Sequence, residues 1–125
     1  MSPAFSSCSS LQYNEYDNAL YLGNTNNPYV ALITVKDRSI TTCSMHFDTK
    51  VIGGWAFSYC RNLTDIIIPD SVTIIGYYAF YDCSKISEIR YNGTVSEWEA
   101  ITKGSNWNRY VPATKVICSD GEVTL

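Results

Sequence analysis

Apolar and polar positions recur along this chain with a step of 23 residues. Ala56, Phe57, Cys60 and Leu63 return as Ala79, Phe80, Cys83 and Ile86, and Ile66 and Ile68 return as Ile89 and Tyr91. One step back, KVIGGWAF (50–57) aligns with TIIGYYAF (73–80), and Ile40, Cys43 and Met45 fall on the positions of Leu63, Ile66 and Ile68. The same phrase opens the chain as AFSSCSSL (4–11). Each unit reads LxxIxI, a Pro or polar turn, VxxIG, then AFxxCxxL. Period-two character in LTDIIIP predicts a strand. Gly53 and Gly76 predict turns. AFxxC has the spacing of a helical turn with Ala, Phe and Cys facing inward. A single unit cannot cover its own apolar face, so copies must stack into one core, with parallel strands about 4.8 Å apart. Each Phe is then expected to lie over the next.

The pattern breaks in two places. Leu11 holds the position of Leu63, but the next such residue, Ile40, comes 29 residues later. NALYLG and PYVALITV between them are rich in β-formers, and NTNNP is turn chemistry. A β-hairpin or small meander packed against the stack is expected over 12–39. After the last repeat, TVSE (94–97) is a capping box with Thr94 as N-cap and Glu97 at N3. The helix it starts is expected to run to about Lys103 and stop at Gly104, with Trp98 and Ile101 on one buried face. KVICSDGEVTL then reads as a hairpin turning at Asp120-Gly121. Helix and hairpin together are the atypical terminal unit that closes a solenoid. The expected layout is one domain, 1–125: a partial repeat at 4–11, the β insertion at 12–39, repeats over 40–93 and a C-terminal cap over 94–125. The N-terminus begins inside a repeat and is expected to be the cut end of a longer array, with an open face near 4–11 available for self-association.

Composition fits one packed domain: 125 residues, 46% hydrophobic and only 17% charged. A net charge of -3 with nine scattered Lys and Arg argues against nucleic acid as a partner. No apolar run reaches the roughly 18 residues of a membrane span. MSPAFSSCSS lacks the basic n-region and apolar h-region of a signal peptide. The five cysteines show no CxxC. Cys60, Cys83 and by position Cys8 share one repeat site, where stacking holds Cβ atoms about 4.8 Å apart, too far for a relaxed disulfide. They read as small buried hydrophobes, with Cys43 and Cys118 also free thiols. With a single histidine, His46, no zinc signature exists. His46 has no nucleophile or orienting partner in view and reads as a surface residue at a strand end. Asp65 and Glu88 are one repeat apart on an exposed face, where water screens them, so no two-carboxylate site is expected. YLGNTNNP lacks GxxxxGK[ST] and is no phosphate loop. No catalytic residue, cofactor or metal is assigned.

LTDIIIPDSVTIIGYYAFYDCSKI resembles the BspA-like leucine-rich repeats, and YNGTVSEWEAITKGSNWN is similar to the closing segment of such arrays. The resemblance covers nearly the whole chain and implies an α+β, mainly β fold: a right-handed leucine-rich-repeat solenoid of ~23-residue repeats, with the β insertion and the helix-plus-hairpin cap. It also implies a non-enzymatic module of a surface or secreted protein, extracellular or at the cell surface, that adheres to or recognises a protein or glycan of a host or neighbouring cell without inserting in a membrane. Alternation places the outward strand positions in three rows: Thr42, Asp65, Glu88; Ser44, Ile67, Arg90; His46, Pro69, Asn92. Apart from Pro69, they form the expected partner-binding face. Tyr13, Tyr16, Tyr21 and Tyr29 on the insertion and Tyr77, Tyr78 and Tyr81 on the turns are a second candidate surface, or simply fill gaps. The alternative function is a structural cap or spacer for another domain of the parent protein.

Overall fold

The computed structural model describes residues 12–125. The partial repeat at 4–11, with Cys8 and the expected open N-terminal face, lies outside the described residues. Ten strands follow in order: β1 (Asn14–Tyr16), β2 (Ala19–Leu22), β3 (Ala31–Val35), β4 (Val51–Ile52), β5 (Asp65–Ile68), β6 (Ile74–Ile75), β7 (Glu88–Tyr91), β8 (Thr102–Lys103), β9 (Lys115–Cys118) and β10 (Gly121–Thr124). Among the described residues one short helix, α1 (Val95–Ala100), sits between β7 and β8. The result is a mainly β solenoid of about four turns. One sheet runs β1-β2-β3-β4-β6-β8 and the other β10-β9-β7-β5.

The 23-residue step sets the register. Asp65, Ile66, Ile67 and Ile68 lie beside Glu88, Ile89, Arg90 and Tyr91, and Val51 and Ile52 beside Ile74 and Ile75. Burial alternates along β5, with Ile66 and Ile68 inside and Asp65 and Ile67 outside, as a half-buried strand requires. Phe57 lies over Phe80, ring centroids 4.9 Å apart and planes within 10°.

The AFxxC segments are inward-facing as expected: Ala56, Phe57 and Cys60 are fully buried. They are not helical. Their N–H groups alternate between two acceptors. Ala56, Ser58 and Cys60 donate to Gly53, Trp55 and Phe57 three residues back, whereas Trp55, Phe57 and Tyr59 donate to Tyr77, Ala79 and Tyr81 of the next coil. A helix would satisfy every N–H internally and leave nothing to hold coil to coil. Trp55 and Tyr59 in one coil, and Tyr78 and Asp82 in the next, have positive φ and interrupt helical continuation twice per coil.

The same alternation exposes a coil that the 23-residue step does not reveal. Tyr78, Phe80 and Asp82 donate to Ser105, Trp107 and Arg109, and Asn106 and Tyr110 repeat the positive φ. Residues 102–118 are therefore a full coil: β8 pairs parallel with β6, and β9 with β7. Insertion of α1 stretches the step to 28 residues between Ile74 and Thr102. Trp107 meets Phe80 edge-on at 6.2 Å and Trp98 at 5.7 Å, which closes the column of rings.

The capping box is present: Thr94 Oγ1 accepts from Glu97 N, and Glu97 Oε1 accepts from Thr94 N. The helix stops at Ala100, short of the expected Lys103, because Thr102 and Lys103 are claimed by the ladder to β6. Lys103 Nζ reaches back to the carbonyls of Trp98 and Ile101 and supplies the positive end cap. The terminal hairpin turns at Ser119-Asp120, not at Asp120-Gly121, since Gly121 pairs with Cys118. Ser119 N and the Asp120 carboxylate are held by Gly93 O and Val95 N at the start of α1. The insertion is an antiparallel meander, β1-β2-β3, whose last strand pairs parallel with β4. It therefore continues a solenoid sheet edge to edge, where packing against the stack was expected.

Candidate functional site

The outward positions of β5 and β7 lie side by side on one surface. Ile67 is 47% exposed, Asp65 and Arg90 are exposed, and Glu88 is half-buried. Glu88 Oε1 accepts from Arg90 Nη2 at 3.1 Å, and Asp65 Oδ1 accepts from Thr64 Oγ1 at 3.0 Å. The two carboxylates that share a repeat position are thus engaged by different partners.

Thr42 and Ser44 are exposed beside β5, but their segment forms no strand with it. One main-chain bond, Thr64 N to Thr41 O at 3.4 Å, joins the two. Beyond it they part, leaving a groove of about 300 Å³ lined by Thr42, Ser44, Met45, Phe47, Ile67 and Asn92, with Cys43 and Ile66 deeper in. The strand expected over Ile40–Met45 fails because the meander takes its hydrogen bonds. Asn18 Nδ2 donates to Thr42 O, Ser44 N donates to Asp17 Oδ2, and His46 N donates to Tyr21 Oη.

The third outward row does not form. His46 is not a surface residue: its side chain is 13% exposed. The ring stacks on Tyr29 at 4.1 Å and Phe47 at 4.5 Å, with Tyr16 edge-on at 4.9 Å. Its Nδ1 accepts from Asp48 N, which places the neutral ring's proton on Nε2. Pro69 is buried, and only Asn92 of that row is exposed. Sequence alternation overran the strand end here.

Three of the insertion tyrosines meet one another, with Tyr16 left 37% exposed. Tyr21 is fully buried and meets Tyr16 and Tyr29 edge-on. The turn aromatics form a ladder on another face. Trp55 stacks on Tyr78 at 4.5 Å, and Tyr81 meets Tyr59 and Tyr110. Arg61 and Arg109 cover Tyr59 and Tyr110 at 5.3 and 4.9 Å. Trp55, Tyr59 and Tyr110 were not singled out from the sequence, although the 23-residue step already aligns Trp55 with Tyr78.

Cys43, Cys60, Cys83 and Cys118 are free and buried. Burial, aided by the nearby Asp17 charge, pushes the Cys43 thiol up to about 12. The hydrogen bond to Cys60, together with burial, raises Cys83. Burial lifts the Tyr21 phenol to about 12 against the hydrogen bond from His46 N. Acids whose folded pKa is raised contribute stability that is complete below their ordinary values, and it is lost as pH rises through the folded pKa. Urea midpoints are therefore expected to fall between pH 9 and about 12. Cys43→Ala should flatten that fall, and an unchanged slope in this variant would refute the assignment.

Among the described residues no three His, Cys, Asp or Glu side chains are grouped to hold a metal ion, and no helix is long and apolar enough to cross a membrane. Residues 34–103, more than half of the chain, match the family described as a BspA-type leucine-rich repeat region of six copies. No curated protein and no solved structure matches the chain.

Proposed function

The chain belongs to the BspA-type leucine-rich repeat family, and from that premise we propose that it is a non-catalytic recognition module of a surface or secreted protein, binding a protein partner through the outer face of β5 and β7. The observation that carries this reading is the groove of about 300 Å³ set into that face beside the exposed Ile67. Six of the eight residues expected to contact a partner, Thr42, Ser44, Asp65, Ile67, Arg90 and Asn92, are exposed around it, with Glu88 half-buried beside Arg90. Rigid stacked strands pre-pay the ordering cost of binding. An apolar side chain ringed by polar ones resembles the core and rim of protein interfaces. The face carries both charge signs and an exposed isoleucine, which suits a polypeptide better than a bare sugar. Adhesion at a cell surface is the part of this proposal that the family resemblance suggests.

The test is adhesion of beads coated with the chain to cell monolayers and to matrix proteins. Changing Ile67→Ser, Glu88→Ala and Arg90→Ala together is expected to reduce adhesion about tenfold or more, as loss of an interface centre does. Because all three are surface positions, Tm should move by no more than about 3 °C. Equal adhesion of the variant would leave the chain a cap or spacer without a ligand of its own.

A further inference from the structure

The groove has unpaired main chain along both of its long walls. On the β5 side, Asn92 N donates to Ile68 O at 3.0 Å, with Ile68 aligned to Tyr91. In a parallel ladder alternate residues bond the same neighbour. Ile66 and Ile68 therefore face β7, and the N–H and C=O groups of Asp65 and Ile67 face the groove. β5 is the last strand of its sheet. On the opposite wall Thr42, Ser44 and His46 are tied to the meander by Asn18, Asp17 and Tyr21. Alternation turns Cys43 and Met45 the other way, toward β5, as Thr41 O already is. Among the described residues the main-chain groups of Asp65, Ile67, Cys43 and Met45 make no main-chain bond across the gap.

An open strand edge ordinarily recruits other sheets without discrimination. Here the 41–47 segment lines the opposite side of the groove and narrows the approach to that edge. The three tethers to the meander hold that wall away from β5. Asp65, the charged side chain on the groove, has no cation partner among the described residues, in a chain of net charge -3.

Resting on the recognition face proposed above, we infer that this slot takes an extended peptide as an added strand beside β5. The peptide is read through its main chain by Ile67 on one wall and by Cys43 and Met45 on the other. Alternate apolar residues point to the floor of Cys43 and Ile66, and a Lys or Arg sits against Asp65. Strand addition of this kind draws its affinity from main-chain hydrogen bonds and its selectivity from alternate side chains. From Asp65 to Pro69 the slot spans about 13 Å, room for four or five residues.

The probe is the acetylated, amidated hexapeptide Lys-Val-Thr-Val-Lys-Val, titrated into the whole ¹⁵N-labelled chain and compared with the same peptide N-methylated at alternate residues. The expected result has three parts. The Ile67 and Met45 amides shift and become slow to exchange with deuterium. N-methylation weakens binding about tenfold or more, as two lost hydrogen bonds should. Asp65→Asn weakens it about fivefold at low salt. If the N-methylated peptide binds equally, or shifts appear only around Glu88 and Arg90, insertion is wrong while recognition by the strand face stands. If the Ile67 and Met45 amides exchange slowly before any peptide is added, the chain or a second copy already fills the slot, and the proposal is overturned. No binding by either peptide also overturns it, whatever the bead assay shows.

Discussion

Gly76→Ala is expected to lower Tm by roughly 10 °C or more, although it adds a single methyl group to a turn. A Cβ at this position would lie 2.4 Å from Gly54 N and 2.8 Å from Gly53 C, both main-chain atoms of the preceding coil. Gly104 repeats the arrangement one coil on, where a Cβ would come within 2.3 Å of Tyr77 N. Neither glycine has positive φ, so left-handed backbone is not what requires them. The requirement is space: each coil leaves its short strand across the back of the coil before it. Gly76 N donates to Ile52 O at 2.7 Å and Gly104 N to Ile75 O at 2.8 Å, which draws the coils into that contact. Main chain cannot rotate away as a side chain can, so relief requires separating two coils. Forced overpacking costs about 3 kcal/mol or occasionally more, which for a chain of this size converts to the stated Tm change. Gly121→Ala is the control, because its Cβ would meet only Val95 Cγ2, at 3.4 Å. Thermal denaturation followed by circular dichroism decides the matter. A Gly76→Ala protein melting within 2 °C or so of the parent would show that the coils are not packed as described.

That glycine column was legible as VxxIG, but only as a turn; the steric reason appears once coils are stacked. What the sequence disclosed well were features fixed by local chemistry or by the step itself. The capping box at Thr94 and Glu97 and the pairing of Asp65–Ile68 with Glu88–Tyr91 depend on neighbours at known spacing. What it hid had a tertiary cause each time. The last coil vanished from the 23-residue step because α1 lengthens it and because Trp107 and Asn108 stand where Ala79 and Phe80 stood. Residues 40–46 keep the apolar spacing of a strand, yet Asn18, Asp17 and Tyr21 hold its hydrogen bonds. No pattern within 40–46 could announce that. The groove follows directly from that diversion, so the candidate site was legible as a face and illegible as a slot. His46 shows the same limit. Its repeat position equals that of Pro69, and two of the three rings around it, Tyr16 and Tyr29, come from an insertion that the repeat does not contain.

Phe80→Ala is expected to cost about 3–5 kcal/mol, the range for deleting a fully buried phenyl ring. Phe80 is 1% exposed and lies between two aromatic neighbours, Phe57 stacked at 4.9 Å and Trp107 edge-on at 6.2 Å. Truncation therefore removes ring contacts on both sides, each worth about 0.5–1.5 kcal/mol beyond burial. It also leaves a cavity between coils that hydrogen bonds keep from closing, since Phe57 N, Phe80 N and Asp82 N remain tied to Ala79, Trp107 and Arg109. In a solenoid each coil is stabilised by its own fold and by its two interfaces, so a cavity in a middle coil weakens two interfaces at once. Phe57 has one ring partner in the column among the described residues, and Phe57→Ala should be the milder of the two. Phe47, at the groove mouth and 72% exposed, should cost under about 1 kcal/mol when truncated. Urea unfolding followed by tryptophan fluorescence ranks all three. Trp98 and Trp107 report the terminal coil and Trp55 reports the turn ladder, so loss of coupling between coils would appear as a broadened transition with a lower m-value. If Phe80→Ala cost no more than Phe47→Ala, the stacked rings would not be the core that joins one coil to the next, and the recognition face would lose the rigid support from which it was argued.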